Sequence, residues 1–278
     1  MPCNKAGSTA KTIVVLNCLL LCLLCTSCAQ KRWTDTLSNE ENSAMEQLVA
    51  VMQEREQQCS QSFDADMRLF WKNPLDSRAV EGYLQMRAPS SMKFVVSNSL
   101  GQPVFAFSGN GKTFQILQPR QQTHIRGSVR SLTLRNRMPL IMTQGDWFAY
   151  MTSRLPVRKL IIVETTQDRN SDTVWLRIAN TGMQKTYGLI YLHLDPQREE
   201  VLGYLFQDNA GETLAEISYP GRREGNRDCP AQTEITVDKL PWDAKIRIKL
   251  ENIASADFLK EQDFPLPVPA GFNTQVWP

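Results

Sequence analysis

Val104-Phe105-Ala106-Phe107-Ser108-Gly109-Asn110-Gly111-Lys112-Thr113-Phe114-Gln115-Ile116-Leu117 decides the fold class. Val104 to Ser108 and Thr113 to Leu117 are rich in β-branched and aromatic residues, and Asn-Gly stands between them. Both turn residues tolerate positive φ, so this is the strongest short-range signal for a β-hairpin. Period-two patterning continues upstream. Met67, Leu69 and Trp71 share one face of a strand, as do Leu84, Met86 and Ala88, and Phe94 and Val96 alternate with Lys93 and Val95.

Downstream, strands are predicted at about His124 to Leu134, Val157 to Glu164, Thr173 to Ala179, Tyr187 to Leu194, Val201 to Gln207, Thr213 to Tyr219, Thr233 to Val237 and Lys245 to Glu251. Asp195-Pro196 and Asp208-Asn209-Ala210-Gly211 supply turn chemistry between them. In the last strand Ile246, Ile248 and Leu250 alternate with Lys245, Arg247 and Lys249, so one face is buried and the other wet. Two stretches carry the helical period instead. Met45, Leu48, Val49 and Met52 form a stripe within residues 40–59, with Ser38, Asn39 and Asn42 as candidate N-caps. Trp147, Phe148, Met151 and Leu155 mark a short helix within Gly145 to Leu155. Residues 254–263 suggest a further helical turn, Arg222 to Asp228 a charged loop, and Phe264 to Pro278 a proline-rich tail lying extended on the body.

The fold class expected is therefore mainly β with helices (α+β). It is one curved antiparallel sheet or incomplete barrel, covered by an N-terminal and an internal helix, because a wide sheet has to curl, close or be covered.

The N-terminus reads as an address. Lys5 and Lys11 precede an apolar run from Thr12 to Leu24, shorter than the ~20 residues of a spanning helix. Small residues and Cys28 follow, the pattern of an export signal. Leu24-Cys25-Thr26-Ser27-Cys28 resembles the bacterial lipobox, although Cys25 stands where leucine is usual. The resemblance implies a signal peptide over 1–27 and a diacylglycerol thioether with acyl (palmitate-type) lipid on Cys28. That covalent lipid is the sole group expected in the place of a cofactor. An ordinary cleavage near Ala29 or an uncleaved anchor is the alternative. Residues 28–39 are read as a polar, lipidated tether. About ten residues at roughly 3.3 Å each would hold the body within about 35 Å of a bilayer.

From Cys28 onward there are 251 residues with 29 basic and 29 acidic side chains, since Lys5 and Lys11 account for the whole formal charge of +2. A nucleic-acid partner would call for a net basic stripe, and none is present. Five of the seven cysteines precede or end the signal, which leaves Cys59 and Cys229. In an oxidising compartment they form one disulfide or remain two free thiols. His124 and His193 lie in different strands without partners at metal spacing, so no metal site is expected. No Gly-x-Ser-x-Gly elbow occurs. Ser108 to Lys112 lacks phosphate-loop spacing. Glu164, Asp168 and Asp172 lack an ordered calcium loop. The chain is read as a non-enzyme.

The order of elements, with Arg87-Ala88-Pro89-Ser90-Ser91-Met92-Lys93-Phe94-Val95-Val96 followed by Ser97-Asn98-Ser99-Leu100-Gly101-Gln102-Pro103, resembles the lipoprotein-localisation family of LolA and LolB. The Asn98-x-Leu100-Gly101 turn is most similar to LolB. The likeness is firmest from Phe63 to Leu117 and has no counterpart beyond Ile253. It implies a half-barrel over residues 40–278 whose apolar cavity takes acyl chains or lipoproteins in transit to the outer membrane, on the periplasmic side. It also implies a monomer that meets a periplasmic carrier protein. Met67, Leu69, Trp71, Phe94, Trp147, Phe148 and Met151 are the candidate cavity-lining residues. Leu100 either enters the membrane from its turn or packs inward. A structural or sensor lipoprotein that binds a periplasmic protein through the same fold, without lipid transport, is the competing reading.

Overall fold

The hairpin that opens the sequence reading is formed by Pro103–Gly109 and Thr113–Gln118. Asn110 closes it: its Oδ1 accepts from the backbone N–H of Lys112 (3.0 Å) and Thr113 (2.8 Å). Only Gly111 takes positive φ there (+78°), and Asn110 N–H donates to the Thr113 carbonyl across the turn.

The computed structural model describes residues 32–143, 145–179, 188–220, 223–224, 229 and 231–278. Cys28, the apolar run before it, Tyr187 and most of the charged loop at 222–228 lie outside the described residues. In chain order the first elements are β1 (Trp33–Thr36), α1 (Asn39–Gln57), β2 (Ser62–Lys72), β3 (Ser77–Arg87), β4 (Ser91–Ser97), β5 (Pro103–Gly109), β6 (Thr113–Gln118) and β7 (Thr123–Ser128). Three short helices follow: α2 (Val129–Arg135), α3 (Leu140–Thr143) and α4 (Trp147–Thr152). Next come β8 (Ile162–Asp168), β9 (Val174–Ile178), β10 (Leu189–Asp195), β11 (Glu200–Gln207) and β12 (Thr213–Ser218). The chain ends with β13 (Arg223–Glu224), β14 (Ala231–Gln232), β15 (Glu234–Leu240), β16 (Ala244–Ser255) and β17 (Asn273–Trp277).

Fifteen strands form one open, curved sheet in the order β1-β8-β9-β10-β11-β12-β15-β16-β2-β3-β4-β5-β6-β7-β17. Every pairing is antiparallel except β17 with β7. β13 and β14 pair with each other in a separate ribbon. The concave face carries the main core. Met52, Leu84, Met86, Leu192, Leu194, Tyr204 and Phe206 there have essentially no exposed surface.

α1 supplies part of the roof. Ser38 and Glu41 form a capping box, in which the serine hydroxyl accepts from Glu41 N–H and the Glu41 carboxylate accepts from Ser38 N–H. The expected stripe faces the sheet, with Val49 and Met52 buried and Met45 and Leu48 half-buried against the core. Burying each such side chain contributes roughly 1.5–3 kcal/mol.

Three expectations are corrected. The strand read at His124 to Leu134 stops at Ser128, whose hydroxyl accepts from Ser131 N–H and caps α2. The cap outweighs the β-branched composition of Val129 and Thr133.

Within the stretch read as a polar tether, Trp33–Thr36 form an edge strand on β8. Trp33 stacks on Tyr191 (4.8 Å), and Arg32 makes a forked ion pair with Glu216 (2.7 and 2.8 Å) and lies over Trp175.

The tail does lie on the body, but as more than a strap. Leu266 packs on Ala106 and Leu117, its N–H donates to Gln115 Oε1 (2.7 Å), and β17 then covers the β7 edge in parallel register. Residues 254–263 continue β16 to Ser255 and add a single 3-10 turn at Glu261–Asp263.

Cys59, just past α1, is bonded to Cys229, 170 residues away. Closing so long a loop restricts the unfolded chain. Replacing both cysteines by serine is expected to lower unfolding free energy in urea by about 2–4 kcal/mol with an unchanged far-ultraviolet spectrum. A loss below about 0.5 kcal/mol would show that the cross-link does not stabilise the fold.

Candidate functional site

The six residues of α4 read Trp147-Phe148-Ala149-Tyr150-Met151-Thr152, and all but Trp147 are buried. A helix this short has no stability of its own in water. It is held by packing and by polar groups at both ends. Asp146 Oδ1 accepts from Ala149 N–H (3.0 Å) and Oδ2 from Val157 N–H (3.1 Å). Burial raises the Asp146 carboxyl above its ordinary value, and these N–H groups oppose that shift. Tyr219 donates to the Tyr150 carbonyl (2.8 Å), Tyr204 to the Arg154 carbonyl (2.7 Å) and Leu155 N–H to Glu56 Oε2 (2.8 Å). The phenols of Tyr150, Tyr204 and Tyr219 are all pushed upward, chiefly by burial, and stay neutral donors.

Where α4 meets β2 and β16, a cavity of about 270 Å³ remains. Phe63, Phe148, Met151, Leu250 and Ile253 form its apolar wall. Arg154 and Gln232 stand at its polar side. Arg154 Nη1 donates to the Ser60 carbonyl (2.7 Å) and its guanidinium lies over Phe148. Gln232 donates to Ser153 Oγ (2.9 Å), while its Oε1 is buried without a hydrogen-bond partner. The arrangement offers a slot with one apolar wall and a polar side to which Ser60, Ser62, Thr152 and Ser255 also contribute.

Of the seven sequence candidates, Phe148 and Met151 face this cavity. Met67 and Phe94 are buried in the main core and Leu69 packs partly against it. Trp147 lies elsewhere, against Phe107 (6.4 Å), and donates from Nε1 to the Thr143 carbonyl. Trp71 is corrected: its alternation with Met67 is right, but it stands one residue from the end of β2 and is 43% exposed. Sequence reasoning missed Phe63, Ile253, Arg154 and Gln232. Phe63 continues the inward face of Met67 back through Ala65, a signal present in the alternation. Nothing local marks Arg154 or Gln232, which the fold brings together over long separations. Leu250 was read as buried but not as cavity wall.

Leu100 is 80% exposed at the tip of its turn. Asn98 Oδ1 accepts from the N–H of Leu100 and Gln102, and Gly101 supplies the left-handed residue (φ +75°). The inward-packed alternative for Leu100 is not what the structure shows.

No family model and no curated protein matches the sequence. Solved structures do match the fold. A domain from Vibrio parahaemolyticus described as outer membrane lipoprotein-sorting aligns with a TM-score of 0.56 at 14% identity, over 79% of this chain and 95% of that one. A LolA superfamily protein from Nitrosomonas europaea aligns at 0.54 and 12%, over 78% and 97%. A DUF1329 family protein from Desulfovibrio piger aligns at 0.57 and 11%, over 80% and 96%. The fold is LolA-like. At these identities the likeness concerns architecture alone. The helix-covered concavity of the LolA-like sheet is therefore judged on its own chemistry.

Among the described residues no group of three or more His, Cys, Asp or Glu side chains is placed to hold a metal ion. His124 is buried with Nδ1 3.2 Å from Thr274 Oγ1. His193 bonds Thr173 Oγ1 (2.8 Å) and stacks on Trp175 (4.1 Å). Burial lowers the His193 imidazolium value most, with Asp168 opposing it. The folded state thus prefers the neutral ring. This stabilisation is complete above the unfolded value of about 6.5 and is lost as pH falls from there through the lower folded value. Melting temperature is expected to drop between about pH 7 and 5, and to drop less in His193→Gln. Identical pH profiles would contradict this.

Proposed function

We propose that this chain is an exported lipoprotein, anchored through lipid on Cys28 after removal of residues 1–27, that takes up acyl chains of lipids or lipoproteins beneath α4. The observation that carries this reading is the cavity with an apolar wall between α4, β2 and β16 in a LolA-like sheet. Its volume, about 270 Å³, sits just below the roughly 300–1,000 Å³ of small-molecule sites. A long acyl chain therefore requires α4 to lift. Withdrawing Phe148 and Met151 from the core costs several kcal/mol. Burying about ten methylenes returns about 8 kcal/mol, so ligand can replace helix at little net cost.

The setting is the bacterial envelope, with the anchor in the outer membrane and the body facing the periplasm. The role is delivery or insertion of lipoproteins, received from a periplasmic carrier protein, by a monomer that performs no covalent chemistry. Leu100, exposed on a rigid turn, is the residue proposed to touch the bilayer during delivery.

A second reading has its own support. Met52, Leu84, Met86, Tyr204 and Phe206 already fill the concavity. A half-barrel filled by its own side chains suits a structural or sensor lipoprotein that binds a periplasmic protein.

One titration separates the two. The exported protein is expected to bind a fluorescent fatty acid, and Met151→Arg to weaken that binding at least tenfold. Leu100→Glu is expected to leave uptake unchanged and slow lipoprotein transfer to vesicles. Absence of uptake by the wild type, with one stoichiometric protein partner co-purifying, would reject the acyl-chain reading. Unchanged transfer in Leu100→Glu would reject the role of that turn.

A further inference from the structure

Two hairpin turns stand side by side at one end of the β16–β2 pair. In the β16–β2 pairing Ile246 lies opposite Trp71 and Lys245 opposite Lys72, so the β15–β16 turn and the β2–β3 turn are neighbours. Each carries large apolar side chains into solvent: Leu75 is 97% exposed, Trp242 56% and Trp71 43%. None of them belongs to the cavity.

Both turns are fixed in this presentation. Asn73 Oδ1 accepts from the N–H of Leu75 (2.8 Å) and Asp76 (2.7 Å). Around Trp242 the backbone is held in the left-handed region at three non-glycine residues, Lys239 (φ +61°), Trp242 (+61°) and Asp243 (+51°). Such conformations cost of order 1–3 kcal/mol each and persist where a particular presentation is needed. Their effect here is to turn an indole outward.

Charge surrounds these tips. Lys72, Arg78, Arg137, Lys239 and Lys245 are exposed beside them, against Asp76, Asp238 and Asp243. Arg78 pairs with Asp76 and Lys245 with Asp238, and Arg137 lies over the Trp242 ring. Indoles and leucine at the tips, with lysine and arginine at their roots, is the chemistry of a membrane–water interface. The rings sit at headgroup depth and the cations meet lipid phosphates. A cluster of this kind is unusual on a soluble surface that meets only water.

We infer that the paired tips of the β2–β3 and β15–β16 hairpins form a bilayer-docking surface for anionic phospholipid, centred on Trp71, Leu75 and Trp242. This surface is separate from the Leu100 turn, and it rests on the envelope reading above. It gives the cavity a fixed orientation to a membrane without relying on the lipid anchor.

The test is quenching of tryptophan emission. Exported full-length protein is added to vesicles of three parts phosphatidylethanolamine to one part phosphatidylglycerol, with and without brominated acyl chains. The wild type is expected to be quenched by the brominated lipid. Trp242→Phe and Trp71→Phe should each remove part of that quenching. Leu75→Asp, at a fully exposed position that folding does not need, should reduce it at least threefold. Phosphatidylcholine vesicles should also reduce it at least threefold. Equal quenching of wild type and all three variants would overturn the inference. So would a wild-type dimer that Leu75→Asp converts to monomer with no change in quenching, because the tips would then bind a second copy. Fatty-acid uptake measured on the same variants separates the two proposals. Loss of quenching differences with uptake intact removes only the docking surface, and loss of uptake in the wild type removes only the cavity reading.

Discussion

Fifteen hydrogen-bonded strands make a sheet with two faces, and the face lined by Leu84, Met86, Leu192, Leu194, Tyr204 and Phe206 has to be kept from water. Much of the structure answers that need. The sheet curls, α1 lays Val49 and Met52 into the hollow, and the chain between β7 and β8 turns inward to bury α4. Each edge is closed by an end of the described chain, β1 against β8 and β17 against β7. The disulfide between Cys59 and Cys229 ties the end of α1 to the segment before β14, beside α4. Its sulfur atoms border the cavity through Cys229.

The roof is uneven in strength. α1 is long, well capped and striped, so it has both local and tertiary support. α4 has six residues and depends on tertiary contacts and on a ring of buried and half-buried polar groups: Asp146, Glu56, Tyr204, Tyr219 and Gln232. Each bond in that ring is worth about 1 kcal/mol net. Together they are comparable with the burial of an acyl chain at about 0.8 kcal/mol per methylene. On the function proposed above, ligand exchanges for this helix and not for the interleaved sheet residues beneath it.

The sequence made the strands legible where alternation and turn residues agreed. The Asn110-Gly111 hairpin, the Asn98 to Gly101 turn and the stripe of α1 are of this kind. What it concealed followed from long-range contacts. β1 is polar by composition and becomes a strand only because Trp33 finds Tyr191 and Arg32 finds Glu216. α2 looks like a strand until Ser128 caps it. Trp71 keeps its predicted alternation but is exposed near the end of β2, and no local pattern encodes where burial stops along that strand. The cavity mouth is hidden for the same reason. Arg154 and Gln232 are far apart in the chain, and only the fold sets them around one space.

The central claim is that α4 is a removable cover on an otherwise fixed sheet. Amide hydrogen exchange, followed residue by residue, tests it directly. The account expects the amides of Tyr150 and Arg154, bonded to Asp146 and Ala149, to exchange through a local opening well below the global unfolding free energy. Amides of β10 and β11 should exchange only on global unfolding. A bound fatty acid should widen that gap by leaving α4 open. If the α4 amides exchange only with global unfolding, and fatty acid leaves them unchanged, the helix is core and the cover does not exist.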